Sequence, residues 1–498
     1  MKQLSWTDAA FVRLESPAAP IHINPVLIYD PSTAPVPVTF TGILAQIESR
    51  LDQAPSFRRR LVDLPFGLTA PYWIEDDSFD LEYHVRHIAL PKPGDWRQLC
   101  IQLARLHARP LDLSRPPWEL TVIEGLDAVE GVPAGSFALS LKVHHSAIDG
   151  VEGVQLINAI NDVAPLGDRP AAATKAWRPE SPPSSLRLLQ RAAFSAAVHP
   201  VRAARVLVPS VPAGVRGALG AVVRVRGGVA APNTRFNARV SPHRVFEARF
   251  YDFQDVRRIK AAVPGATVND VALAYIGGAL RHYLTEHGEL PEASLVAACP
   301  ISIRTPDQLR TGGNMLSLMR QSLGTDIADP LDRLAEISTA TAKDRATRKP
   351  VGVPALLKVA ELLPGALVGA GARAIALMPN GGPAVANTTV TNVPGSPVPL
   401  YFCGAKLVRS TGNGPIIHSM GLIHLVSTYD GAFSCAITAD REMVPDPAFY
   451  AQCLDRSFEE LQAAAAALEP LLSQAPQTTL RPRKAARTSA MPGARSPD

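Results

Sequence analysis

The residues best suited to chemistry lie together at positions 144–150, which read His-His-Ser-Ala-Ile-Asp-Gly. A neutral imidazole, at His144 or His145, titrates near pH ~6.5 and can accept a proton at working pH. Asp149 could hold a nearby cation or fix the loop, and Gly150 leaves space for a turn or a ligand. The segment therefore predicts proton transfer. Its alternative interpretation is a hydrogen-bonded histidine pair followed by an ordinary Asp-Gly turn.

The segment before the histidines has the pattern of a strand. Apolar residues alternate with smaller or polar ones from Phe137 to Val143, the period-two pattern of a strand with one buried face. After Gly150 the spacing changes to a helical one. The strand pattern puts His145 at the end of the apolar face and His144 on the opposite face. We therefore expect His145 to transfer the proton and His144 to shape the site.

The composition limits the class of protein. A chain of 498 residues with 46% hydrophobic content is long enough for two domains. Its 5 cysteines are widely spaced, without a CxxC pair or a metal-ligand cluster, and the start lacks the apolar stretch of a secretory peptide. These features favour a cytoplasmic protein that binds no metal. A net charge of +5, with no aromatic-basic module, gives no reason to expect nucleic acid.

The charge distribution suggests how the chain is divided. Between Ser181 and Phe246 there is no Asp or Glu, while arginine and proline recur throughout. This segment could lie on an anionic membrane surface, or it could be a solvated linker between domains. We expect an N-terminal domain at 1–178, an Arg/Pro-rich linker at 179–243, a C-terminal domain at 244–473 and a disordered basic tail at 474–498.

Helical and strand patterns recur in both halves without strict alternation. This favours an α/β (α+β) pair of sandwich-like domains over one parallel sheet. The helices are predicted at Thr7–Leu14, Leu99–His107, Val271–Leu284 and Pro447–Leu468. The strands include Trp118–Glu124, Val245–Tyr251, Ser294–Ile303, Asn314–Gln321, Val385–Val393 and Gly431–Thr438.

Several motifs resemble one family. The chain is similar to the bacterial wax ester synthases/acyl-CoA:diacylglycerol acyltransferases, within the larger group of HHxxxDG acyltransferases. Beyond the histidine motif, the resemblance rests on Pro116-Pro117-Trp118-Glu119, Val268-Asn269-Asp270-Val271, Pro300-Ile301-Ser302-Ile303-Arg304, Gly313-Asn314, Thr391-Asn392-Val393-Pro394-Gly395 and Ser427-Thr428-Tyr429-Asp430-Gly431. Two departures stand out: Pro117 replaces the usual leucine, and Ser396 stands where a proline often follows. Neither adds or removes an ionisable group.

The resemblance implies an architecture and a reaction. Two chloramphenicol-acetyltransferase-like domains would face each other, with the active-site tunnel at their junction. His145 would be the general base for transfer of a long-chain acyl group from acyl-CoA to diacylglycerol or a long-chain alcohol. No Gly-x-Ser-x-Gly elbow or activated cysteine is evident, so direct transfer without an acyl-enzyme is expected. Acyl-CoA is then a substrate and no cofactor is needed. Such lipid substrates imply peripheral association with the inner face of the plasma membrane or with lipid inclusions.

Supporting roles are expected for four further residues. Asp149 could be a second base, but in this group of enzymes the equivalent aspartate is usually structural, and Arg304 is its candidate partner. Arg304 could equally be a surface arginine after a turn. Asn269 could stabilise negative charge at a helix start, or that start could be a simple cap shared by Thr267 and Asp270.

Trp118 is open to two interpretations, a border of the acyl channel or a core tryptophan. Two alternatives to the overall function also remain at this point. One is a related acyltransferase for a specialised polyketide-type alcohol, and the other is a noncatalytic lipid-surface protein.

Overall fold

The structure of the protein is a computed structural model, which describes residues 2–53, 55–63, 70–147, 157, 159–166, 231–302, 316–347 and 384–474, with positions 179, 184 and 190 described singly. Three predicted site residues, Asp149, Gly150 and Arg304, lie outside the described residues. Most of the predicted linker at 179–243 and the tail from 475 onward also lie outside them.

The elements are numbered in chain order. The strands are β1 Lys2–Gln3, β2 His22–Asp30, β3 Arg59–Val62, β4 Tyr72–Glu75, β5 Val85–Ala89, β6 Trp118–Glu124, β7 Phe137–His144, β8 Arg244–Asp252, β9 Val296–Ser302, β10 Leu316–Ser322, β11 Thr388–Pro394, β12 Tyr401–Phe402, β13 Ala405–Asn413, β14 Leu422–Tyr429 and β15 Ala432–Asp440. The helices are α1 Trp6–Leu14, α2 Phe40–Arg50, α3 Leu81–His84, α4 Trp96–Ala108, α5 Phe253–Ala262, α6 Val268–Glu286, α7 Pro330–Thr347 and α8 Pro447–Gln474.

Helix starts follow from local chemistry. The Ser5 hydroxyl accepts a hydrogen bond from the backbone N–H of Asp8 at the start of α1, and Asp95 forms a capping box with Gln98 at the start of α4. Thr267 caps α6 in the same way. The helices predicted from the sequence are confirmed as α1, α4, α6 and α8, each longer than its pattern indicated at one end or both.

The first six-stranded sheet carries the histidines. Its spatial order is β12, β13, β2, β7, β6, β5, which places β7 between β2 and β6. Most pairs are antiparallel, and β5 with β6 is parallel. We call one face of this sheet the cavity face, with Trp118, Leu120, Leu139 and Leu141; the other is the back face, with Asn24, Ser140, Lys142 and His144.

The expectation that β7 has only one buried face is wrong. All eight residues from Phe137 to His144 are buried. Helix α2 packs over the cavity face, while α4 and part of the second sheet pack over the back face. The alternation seen in the sequence therefore separates an apolar interior from one that is part apolar and part polar, because a central strand between two layers has no solvent-facing side.

The second six-stranded sheet has the order β10, β9, β11, β14, β15, β8. Strand β11 runs parallel to both β9 and β14, and the remaining pairs are antiparallel. Helix α6 lies against this sheet and packs on α7 and α8, with Tyr275, Ile276 and Leu280 fully buried. The α/β class with a sheet in each half is thus confirmed.

Chain order and sheet membership differ at one place. Strands β12 and β13 lie within the predicted C-terminal domain at 244–473, yet β13 pairs with β2 and extends the first sheet. The two sheets also share a hydrophobic cluster, in which Val26 and Leu99 from the N-terminal part meet Phe246 and Ala436 from the other. The predicted boundaries therefore divide the sequence, while the first sheet takes strands from both sides of the linker.

Candidate active site

His145 lies directly beyond the end of β7, in the turn at 145–147. Its backbone N–H donates to the Ile21 carbonyl at 3.0 Å, and its ring stacks on Phe11 of α1, with 4.4 Å between centroids and 29° between planes. The side chain is half-buried. The aromatic neighbour and the backbone bond fix where the imidazole stands, which a general base needs before its pKa matters.

His144 is fully buried at the last position of β7. Its Nδ1 accepts a hydrogen bond from the backbone N–H of Ser146 at 3.1 Å and lies 2.7 Å from the Ser146 hydroxyl. That bond leaves the proton on Nε2, which lies 3.3 Å from a carboxylate oxygen of Glu15. The carboxylate also accepts the Ile21 N–H at 3.2 Å. These contacts place His144 between the turn and the end of α1, and its role in shaping the site stays a prediction.

Helix α1 thus contacts both histidines, a feature that the sequence patterns did not reveal. Phe11 and Glu15 are four residues apart, so they lie on the same side of the helix end. This four-residue spacing is the one local signal in the sequence for the contacts with the histidines. Nothing local says that such a face meets the end of a strand more than a hundred residues away.

The structure shows Trp118 as a core tryptophan, and its place at the border of an acyl channel stays a prediction. It is buried, its indole N–H donates to the Phe57 carbonyl at 2.8 Å, and the His84 ring stacks on it at 4.6 Å. It pairs with Val143 across β6 and β7, two residues before His145. It also lines a cavity.

The cavity lies between the cavity face of the first sheet and α2. Its lining is apolar except for one arginine. The lining residues are Ile47, Arg50, Leu51, Phe57, Trp118, Leu120, Leu139, Leu141, Ala159, Ile160 and Phe402.

The back face carries a polar layer beside its apolar cluster. Lys142 donates to the carbonyls of Leu106 and Arg109 at 3.2 and 2.9 Å and lies 3.0 Å from Glu119. Burial lowers the pKa of Lys142, and Glu119 opposes this shift. Ser140 donates to Asn24 at 2.9 Å, which continues the polar layer toward β13.

Two buried histidines complete this layer. The Nε2 of His22 lies 2.6 Å from the His107 carbonyl, and that of His107 lies 3.0 Å from the Gly414 carbonyl. Burial lowers the pKa of both rings, that of His107 to about 3. Neutral imidazoles therefore belong to the folded protein at neutral pH.

At the start of α6, the capping interpretation holds for Asp270. Its fully buried carboxylate accepts hydrogen bonds from the Thr267 N–H and hydroxyl, both at 2.8 Å, and from the Thr341 hydroxyl at 2.7 Å. Arg345 lies 3.6 Å away. Asp270 thus caps α6 and joins it to α7. Asn269 is half-buried in the first turn of α6, and its role in stabilising charge stays a prediction.

Within the described ranges, no three His, Cys, Asp or Glu side chains come together in a way that could hold a metal ion. The proposed pairing of Asp149 with Arg304 lies outside those ranges and stays a prediction. The tunnel expected between the two halves also stays a prediction, since the described cavity lies on the face of the first sheet that is turned away from β8.

Solved structures share this two-sheet arrangement. The first condensation domain of the CDA synthetase matches with a TM-score of 0.55 at 16% identity, over 94% of this chain and 96% of that domain. The fold is therefore that of the condensation domains. The wax ester synthase/diacylglycerol acyltransferase from Marinobacter aquaeolei VT8 matches with a TM-score of 0.66 at 25% identity, over 93% of this chain and 100% of that chain.

Sequence comparison narrows the class. The family model described as the wax ester synthase/diacylglycerol acyltransferase catalytic domain matches residues 4–272, and the WS/DGAT C-terminal domain matches residues 312–462. A putative diacylglycerol O-acyltransferase of Mycobacterium tuberculosis strain H37Rv is 34% identical over 457 residues, covering 90% of this chain and 87% of that protein. A second putative diacylglycerol O-acyltransferase, from Mycobacterium bovis, is 34% identical over 490 residues, covering 93% of this chain and 100% of that protein. The chain belongs to the wax ester synthase/diacylglycerol acyltransferase family and is an acyltransferase.

Proposed function

We propose that the protein transfers a long-chain acyl group from acyl-CoA to the hydroxyl of diacylglycerol, of a long-chain alcohol, or of both. One observation carries this proposal beyond family membership. An apolar cavity lies under the strand that ends at the histidines, and Trp118, which lines it, sits two strand positions from His145. An acyl chain in this cavity would bring its thioester toward the imidazole.

In the proposed reaction, His145 acts as general base. It takes the proton of the acceptor hydroxyl while the oxygen attacks the thioester carbonyl. The tetrahedral intermediate then collapses, the carbon–sulfur bond breaks, and His145 returns the proton to the leaving thiolate of CoA. Base assistance of this kind is worth about 10²–10⁴-fold in rate. The thioester already carries an activated acyl group, so the proposal needs no cofactor.

The supporting residues take different parts in this proposal. His144 and Glu15 hold the turn, and the stack on Phe11 orients the His145 ring. Asp149 is assigned a structural role with Arg304. Asn269 is the candidate for stabilising the oxyanion, whereas the carboxylate of Asp270 is engaged in the cap of α6.

The proposal places the enzyme at a lipid surface, because its substrates are lipids. No helix among the described residues is both long enough and apolar enough to span a bilayer. Four large apolar side chains are exposed on segments that approach one another, since Asp162 pairs with Tyr401 and the Gly404 backbone lies beside Pro35 and Pro165. These exposed residues are Val36, Val163, Leu166 and Val398. They support peripheral attachment, which flotation with anionic liposomes would test.

The decisive test of function uses purified protein and radiolabelled palmitoyl-CoA, with hexadecanol and dioleoylglycerol in competition. We expect labelled ester to form as CoA thiol is released, and the product ratio then gives the preferred acceptor. Ester from a specialised alcohol, with neither of these two acceptors used, would overturn the proposed acceptor class. Binding to liposomes without any thioester-dependent ester would overturn the proposed reaction.

A further inference from the structure

One end of the apolar cavity is closed by an ion pair. Arg50, the last residue of α2, lines the cavity and places Nη2 2.5 Å from a carboxylate oxygen of Asp162. Its Nη1 donates to the Ala159 carbonyl at 3.4 Å, and Gln46 donates to the other Asp162 oxygen at 3.3 Å. Both charged side chains are largely buried, with 10% and 17% exposed. Among the described lining residues, the single charged one is therefore held in a network.

Register shows which end this is. Phe402 lines the cavity and contacts Tyr29, with 5.6 Å between ring centroids, and Tyr29 pairs with Phe137 across β2 and β7. Phe137 comes eight residues before His145, or about 26 Å at roughly 3.3 Å per residue. The Tyr29 hydroxyl donates to Asn161, which precedes Asp162. The ion pair thus lies at the end far from His145.

The backbone holds this end in place. Asp162 and Tyr401 exchange two backbone hydrogen bonds, at 2.7 and 2.8 Å. These bonds join the segment at 159–166 to the edge strand β12 of the first sheet. The Nε of Arg50 is buried and donates to no group in the described part of the chain. The guanidinium accordingly presents a polar surface to an otherwise apolar space, and a hydrocarbon chain gains nothing by contact with it.

We infer that the Arg50–Asp162 ion pair ends the acyl pocket and sets the longest acyl chain that the enzyme accepts, an inference that rests on the proposed function. A chain that reaches this end has filled the apolar lining. Each further methylene would have to displace a buried, hydrogen-bonded charge pair, which is costly because neither charge would find an equivalent partner. Chain length would then be limited by electrostatics at one end of the pocket.

The test is a double variant, Arg50→Leu with Asp162→Leu, which removes the pair without leaving one charge buried. We expect the ratio of kcat/KM for arachidoyl-CoA over palmitoyl-CoA to rise about tenfold or more, since each methylene that gains a buried place is worth a factor of roughly four. The matched control is Arg58→Leu, which breaks the nearby Arg58–Asp52 pair outside the cavity lining and should leave the ratio unchanged.

A binding measurement tests the inference about chain length separately from the proposed function. Saturated fatty acids of increasing length would displace the fluorescent fatty acid cis-parinaric acid from wild type and variants. We expect affinity to stop rising at a longer chain when the pair is removed. An unchanged length limit in folded variants, in both binding and turnover, would overturn the inference. A shifted limit in binding with no ester formed by any form of the enzyme would instead overturn the proposed function and leave the pocket assignment standing.

Discussion

The two faces of the first sheet are both buried, but they differ in chemistry and in how well they are filled. The cavity face is apolar and lines an unfilled cavity, whereas the back face adds to its apolar cluster a polar layer, in which Ser140 bonds to Asn24 and Lys142 bonds to the Leu106 carbonyl of α4. Empty apolar space costs stability, because its lining loses contacts. Polar groups that are hydrogen-bonded cost little in the folded state. The difference separates the surface that we propose to hold the acyl chain from one that supports the fold.

Strand β7 contributes to both faces, and the histidines at its end continue this division. His144 accepts a hydrogen bond from the Ser146 N–H and lies 3.3 Å from Glu15, within the polar layer of the back face. His145 stacks on one aromatic ring at the entrance to the turn. The comparison therefore predicts that changes on the cavity face alter the reaction and that changes on the back face alter stability.

The largest effect is expected from His145→Ala. Removal of the proposed base should lower kcat/KM for ester formation by about 10²–10⁴-fold, with the circular dichroism spectrum and melting temperature preserved. His87→Ala is the matched control, because His87 lies on the edge strand β5 of the same sheet and contacts Glu124. A folded His145→Ala enzyme that keeps most of its turnover would exclude the base role.

Lys142→Met tests the back face. Methionine keeps the volume but leaves Glu119 without its close cation and two carbonyls without a donor. Because Glu119 is partly exposed, at 21%, we expect a loss of about 2–3 kcal/mol in the free energy of unfolding, near the lower end for buried pairs. Urea unfolding measures this, and the acyl-chain preference should not change. A changed preference with unchanged stability would reverse the assignment of the two faces.

The back face should also make stability depend on pH. His107 has a folded pKa of about 3, below the unfolded value near ~6.5, so the unfolded chain binds the extra proton between these values. Its contribution to stability is present above pH ~6.5 and is lost as the pH falls toward 3. Between pH 6.5 and 5 we expect this residue to cost about 2 kcal/mol of unfolding free energy. A pH slope in His107→Gln as steep as that of wild type would contradict this.

Leu141→Phe is expected to have the smallest effect and probes the cavity face directly. The larger ring fills part of the cavity, so turnover of palmitoyl-CoA should fall about tenfold while lauroyl-CoA is less affected. Leu141→Met, which conserves volume, should keep the wild-type profile. Equal loss for both acyl-CoA substrates would argue against a chain in this space.

Local signals predicted much of the fold. The alternation over β7, the bounds of β6 and the capping box at Thr267 and Asp270 depend on neighbours within a few residues, so the sequence records them directly. The resemblance to the acyltransferases then predicted two chloramphenicol-acetyltransferase-like domains. Even the wrong expectation about β7 identified its two faces correctly.

What could not be predicted depends on distant partners. Strand β13 joins β2 across more than 370 residues, and Arg50 meets Asp162 across 112. Any exposed or buried arginine at the end of a helix gives the same local pattern, because burial and pairing are set by the packing of other segments. The contacts of Phe11 and Glu15 with the histidines could not be predicted either, because they also depend on the packing of distant segments.

The most direct test of the central claim, that the cavity face holds the acyl chain, is photo-cross-linking with an acyl-CoA that carries a diazirine at the end of its chain. Mass spectrometry of the digested protein should find the label on segments that line the far end of the cavity, around Arg50, Ala159 and Phe402. The label should be competed away by palmitoyl-CoA. Competed labelling confined to back-face residues or to the second sheet would contradict the claim.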